Sequence, residues 1–73
     1  MEELEESFGM KRVRVSFNPS GDQTVNHIKR ATAELIDMCD DLKELDPRLA
    51  ALAQTAYEEA AMWAVKLATT QKP

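Results

Sequence analysis

Residues 45–49 read LDPRL, and this stretch decides the fold. Asp46 is a good N-cap, and Pro47 suits the first helical position, where a missing amide costs nothing. The same proline pushes the residue before it out of helical geometry. One helix therefore ends here and a second begins with almost no loop between them. So short a link predicts that the two helices run antiparallel.

Upstream, the first helix carries a heptad. Val25, Thr32 and Cys39 are seven apart, as are Ile28, Leu35 and Leu42. Together they give the 3-4 spacing of a packed seam. Two starts are open: Asn18 capping a helix at Pro19, or a capping box of Ser20 with Gln23. The expected helix covers about 20–45. Downstream, the second helix covers about 47–69. Its expected seam is Leu49, Ala56 and Trp63, interleaved with Ala53, Ala60 and Leu67. The alanines let helix axes approach closely, and Trp63 is expected to plug the wide end of the hairpin or its interface. Leu52, Ala61, Met62, Ala64 and Val65 lie off that seam, so this helix is apolar most of the way round. A helix of that kind is buried on more than one side. A subunit interface is the simplest partner for the extra face.

Before the hairpin, Val13, Val15 and Phe17 alternate with Arg12, Arg14 and Ser16. Period two predicts a short extended arm with one apolar face. Three apolar residues cannot stabilise a lone strand, so the arm must lie on the helices or on a neighbouring subunit. Residues 1–9 are read as an acidic, flexible end and 71–73 as a tail. The expectation is thus one all-α domain over 10–70. It is an antiparallel two-helix hairpin preceded by a short extended arm and packed into a homo-oligomer.

Composition points the same way. A chain of 73 residues supports one small core, and such domains commonly need disulfides, a metal or oligomerisation. One cysteine and one histidine supply neither an internal disulfide nor a zinc site, which leaves oligomerisation. The formal charge of -4 argues against duplex nucleic acid and anionic membranes as partners. No run is long and apolar enough for a transmembrane helix, and the acidic start is unlike a signal peptide. A cytoplasmic protein with a reduced thiol is the resulting expectation.

No catalytic constellation is visible, so no enzyme activity, cofactor or metal is expected. Cys39 has acidic neighbours in Asp37, Asp40 and Asp41, whereas a reactive thiolate wants cations; it reads as a buried structural thiol. His27 reads as a partly exposed polar residue. The carboxylates from Asp37 to Asp46 read as a solvated face. The cations carry more. Lys29 and Arg30 come early in the first helix, where amides and the helix dipole favour an anion, and Arg12 and Arg14 come from the arm. Gathered together they would form a phosphate site. The plainer reading pairs Arg30 with Glu34 one turn on. Lys66 offsets the dipole of the last helical turns, and Thr69 and Thr70 follow as polar groups.

Two motifs, NPSGDQTVNHIK over 18–29 and AMWAVK over 61–66, stand in order around the D-P-R turn. With their surroundings over about 12–70, they resemble the phage and prophage helical-hairpin proteins that sequester cyclic oligonucleotides. These are the anti-CBASS sponges, whose hairpin is shared with the anti-Thoeris sponges. The resemblance implies compact homo-hexamers that hold cyclic dinucleotides between paired subunits, and in some members cyclic trinucleotides at separate sites. The ligand is held and not cleaved, and the host's antiphage alarm fails; a phage-encoded member acts in the host cell cytoplasm. On this resemblance Lys29 falls on the phosphate-contacting lysine. Arg14 stands where some relatives place a base-stacking aromatic, with Phe17 as the alternative stacking group, and Ala31 replaces the family threonine. Lys66 matches the basic residue of the trinucleotide site, where some relatives carry arginine, with Thr69 and Thr70 beside it. The expected ligand set is therefore Arg14, Phe17, Lys29 and Arg30 for a cyclic dinucleotide, and Lys66, Thr69 and Thr70 for a cyclic trinucleotide. The alternative is an oligomeric protein-interaction module built on the same hairpin.

Overall fold

The computed structural model describes residues 5–19 and 21–70. The first glutamates, the Ser20 capping option and the 71–73 tail lie outside the described residues. Three helices make up the fold: α1 (Phe8–Arg12), α2 (Gln23–Asp41) and α3 (Pro47–Ala68). Among the described residues there is no strand.

The LDPRL reading holds in its chemistry. Asp46 takes an extended conformation and accepts hydrogen bonds from the backbone amides of Arg48 at 3.1 Å and Leu49 at 3.0 Å. Pro47 opens α3 behind it. Helix α2 stops earlier than expected, at Asp41, because residues 42–45 turn instead of continuing the helix. The amides of Lys43 and Leu45 bond to the carbonyls of Asp40 and Leu42, three residues back. At the other end α2 starts later than expected. Gly21 sits at φ 67, a left-handed conformation that interrupts a helical path from Pro19. Asp22 is the N-cap instead, accepting from Thr24 N at 2.7 Å and Val25 N at 3.3 Å.

The extended arm is replaced by a short helix and a turn. Ser7 caps α1, and residues 13–16 turn back towards the hairpin. Val13 and Val15 are both buried, but on a turn whose register does not carry Phe17 in with them: Phe17 is 51% exposed. Arg14, between the two valines, sits at φ 58. Gly9 sets how closely α1 approaches α2. A Cβ there would collide with the carbonyl of Ala33, and the Gly9 amide donates to Asp37 Oδ1 at 2.6 Å. Asp37 is therefore a docking group for α1 and not part of a solvated face.

The expected seams are mostly rotated out, Val25 being the one seam residue that is fully buried. On α2 the buried stripe is Val25, Lys29, Ala33 and Ile36, while Leu35 and Leu42 are exposed. On α3 the buried residues are Gln54 and Ala61, while Leu49, Trp63 and Leu67 are exposed. Trp63 is 56% exposed and does not plug the hairpin; its indole N–H donates to Glu59 Oε2 at 3.3 Å. Cys39 is half-buried instead of fully buried, and His27 is exposed. The core of one chain is small: Val13, Val15, Ala33, Ile36 and Ala61, flanked by Met10 and Tyr57. Ala33 on α2 and Ala61 on α3 are buried in the core, where small side chains permit close packing of the helices. The larger residues, which read as the seam, are left facing outward. Gln54 fixes the register across the hairpin. Its Nε2 donates to the Ile36 carbonyl at 3.1 Å, so this buried amide is satisfied.

Candidate functional site

The turn at 13–17 closes over the N-terminal half of α2, and Lys29 ties the two together. Its position on the buried stripe of α2 aims the long side chain beneath the turn. The ammonium donates to the Arg14 carbonyl at 3.1 Å and also to the Phe17 carbonyl. Lys29 is only 8% exposed. Burial lowers its pKa from the usual lysine value, and the nearby Arg14 charge adds to the effect. The bond from Lys29 helps hold Arg14 in a backbone conformation that L-residues seldom adopt.

Above the turn, cations and an aromatic ring stack. The Arg14 guanidinium lies 4.3 Å from the Phe17 ring centroid, and Lys29 Nζ lies 5.4 Å from it. Arg12, at the end of α1, crosses to α3. Its Nη2 lies 2.8 Å from Glu58 Oε1 and its Nε donates to the same oxygen at 3.2 Å. The bond to Glu58 raises the Arg12 pKa, so this guanidinium stays charged. Arg12 also packs over Phe8, 5.3 Å from its ring centroid.

These groups border an open groove of about 470 Å³. Its cationic end is Arg14 and Lys29 with Phe17. Its apolar floor is Val13, Ala61, Met62 and Val65. Its far wall on α3 is Thr55, Glu58 and Glu59. A smaller cleft continues past Phe17 between the two helices, bordered by Asn18, Val25, Val65 and Thr69. Cation, aromatic face and apolar floor in one groove can hold a planar base beside a phosphate.

The structure brings together three of the four residues expected for a dinucleotide: Arg14, Phe17 and Lys29. Arg30 is exposed on α2 and does not border the groove, and its expected pair with Glu34 does not form among the described residues. The start of α2 offers no vacant anion site, because the Asp22 carboxylate already accepts the first amides. Lys66 stands off the groove, 5.8 Å over the Trp63 ring. Thr69 and Thr70 bond back to carbonyls of their own helix, Val65 at 2.9 Å and Lys66 at 2.8 Å. The α3 wall was missed by sequence reasoning. In the sequence Met62 reads only as part of the extra apolar face of the second helix, and Glu58 and Glu59 carry no assigned role. The available signal was a pair of carboxylates facing an arginine-rich arm across an otherwise apolar helix. Among the described residues no group of three His, Cys, Asp or Glu could hold a metal ion. No described helix is long and apolar enough to cross a membrane.

Fold and groove together define a class: a small helical-hairpin protein with an open groove where the N-terminal turn meets the hairpin. A protein-family model described as "Acb2/Tad1, hairpin domain" matches residues 10–69, most of the chain. The chain belongs to that family, the anti-CBASS and anti-Thoeris sponges, which bind cyclic oligonucleotides. No curated protein and no solved structure gives a match.

Proposed function

We propose that this protein sequesters cyclic dinucleotide second messengers without cleaving them, and so blocks host antiphage signalling. The observation that carries the reading is the groove itself. Arg14, Phe17 and Lys29 converge on it from two elements in a chain of the sponge family. Arg14 supplies a charge and a planar stacking surface, both of which suit a phosphodiester next to a base. Lys29 contributes its field and holds the turn, because two of its protons already serve carbonyls. Each charge-assisted phosphate contact contributes roughly 1.5–3 kcal/mol, so binding is tight without chemistry. As a sponge, the protein works as a non-enzyme, free in the host cytoplasm.

The groove is open on one side, and a second copy of the chain closes it in this reading. Leu35, Leu42, Leu49, Trp63 and Leu67 form exposed apolar faces that a homo-oligomer, a hexamer by family resemblance, would cover. Of the second ligand set, Thr69 borders the smaller cleft, while Lys66 and Thr70 line neither the groove nor that cleft. A cyclic trinucleotide there would need walls from neighbouring copies. The same apolar faces favour the alternative reading, an oligomeric module that docks a protein partner. Isothermal calorimetry with a panel of cyclic di- and trinucleotides separates the two. Sequestration predicts saturable binding of at least one cyclic dinucleotide. No heat with any of them, together with one stoichiometric protein partner on pull-down, would leave the module reading standing.

A further inference from the structure

The groove carries both signs of charge, and Arg14 and Lys29 are the cations that would serve a phosphate, Arg12 being paired with Glu58. The opposite wall carries carboxylates, Glu58 and Glu59, with the Thr55 hydroxyl one turn before Glu58. Facing a polyanion, bare carboxylates would repel. Here Arg12 offsets the charge of Glu58 and fixes its orientation, and both of its hydrogen bonds fall on Oε1. Among the described residues Oε2 of Glu58 accepts no bond. Glu59 is likewise fixed, through its Oε2, by the Trp63 indole. The wall therefore presents positioned acceptors beside Arg12, in a groove that Ala61 and Met62 also line.

A carboxylate can only accept, so it selects ligands by the donors they present. Of the four common bases, guanine alone carries two adjacent donors on its pairing edge, N1–H and the 2-amino group. Adenine and cytosine place a ring-nitrogen acceptor next to their amine, and uracil flanks its N–H with two carbonyls. An acceptor facing Glu58 is repelled.

We infer that Glu58, oriented by Arg12 and assisted by Glu59, reads the base edge and makes the groove selective for guanine. The inference rests on the cyclic-dinucleotide reading above and assigns its base preference. Phosphate sits at Arg14 and Lys29, the base lies over the apolar floor, and its donor edge meets Glu58. Positioned base contacts of this type discriminate on the order of 10- to 100-fold against the wrong base.

Calorimetry on the full chain tests this with three probes: cyclic di-GMP, cyclic di-IMP and cyclic di-AMP. Inosine keeps N1–H and lacks the 2-amino group. The expected order is guanine tightest, inosine weaker and adenine weakest. In Glu58→Gln the ratio of cyclic di-GMP to cyclic di-AMP affinity collapses, and circular dichroism confirms that the variant is folded. Equal or tighter binding of cyclic di-AMP by the parent protein overturns the base assignment and leaves sequestration intact. A failure of all three probes to bind overturns both.

Discussion

Lys29 Nζ donates to the Arg14 carbonyl at 3.1 Å across a sequence gap that spans the whole arm-to-helix connection. A second bond reaches the Phe17 carbonyl. One buried cation thereby holds both residues that face the groove, Arg14 and Phe17. The groove is built on a turn, and Lys29 pins that turn from below.

Replacing Lys29 with methionine keeps the apolar stem and removes both bonds. Each charge-assisted bond to a buried carbonyl contributes about 1.5–3 kcal/mol, so a loss of at least that order is expected in urea unfolding. An unchanged unfolding midpoint would refute the pinning role. Lost affinity in such a variant therefore reports the turn as well as the phosphate, and both must be measured.

The buried setting of Lys29 gives a pH signature. Its pKa is lowered on folding, so the native state releases this proton before the unfolded chain does. Between the folded and unfolded values the unfolded state binds more protons, and the contribution of Lys29 to stability rises with pH. Affinity for an anion moves the other way, being full below the folded-state pKa and lost as pH rises through it. Calorimetry at increasing alkaline pH should show affinity falling below the usual lysine range. A fall only above that range would contradict the burial argument.

Arg14→Gly separates conformation from chemistry. Glycine adopts φ 58 without the steric penalty of roughly 1–2 kcal/mol that an L-residue meets there. The variant should be as stable as the parent or more so by thermal unfolding. It should also bind cyclic dinucleotides at least tenfold more weakly, as expected for loss of one charged contact of about 1.5 kcal/mol or more. Retained affinity would remove Arg14 from the ligand set.

Trp63→Ala should leave the single hairpin intact, because the indole packs on the surface of its own chain. If a second copy covers Trp63, the variant dissociates in analytical ultracentrifugation while its far-ultraviolet circular dichroism stays helical. A parent protein that sediments as a monomer would contradict the assembly.

The hairpin was legible because its determinants are local. Asp46 and Pro47 fix the start of α3 through backbone chemistry that tertiary packing does not override. The rotation of the helices was not legible, since periodicity cannot tell an internal seam from an outward one. Leu35, Leu42, Trp63 and Leu67 read as core by size, yet Ala33 and Ala61 occupy it, because close approach favours small residues. The arm failed for a related reason. Val13 and Val15 alternate as in a strand, but Arg14 reaches the same burial pattern through a left-handed turn that only contacts such as that of Lys29 reveal. Resemblance and charge singled out Arg14, Phe17 and Lys29, and the three border one groove. The place of Glu58 in that groove was not legible, because it depends on Arg12 crossing from α1.

Holding without cleaving is the central claim, and the mass of the ligand recovered from a loaded sample tests it most directly. The protein is incubated with a cyclic dinucleotide, freed of excess ligand by gel filtration, denatured, and the released nucleotide is weighed by mass spectrometry. Stoichiometric recovery of the intact cyclic molecule after prolonged incubation is the predicted result. Linear products, or no nucleotide retained through gel filtration, would contradict it.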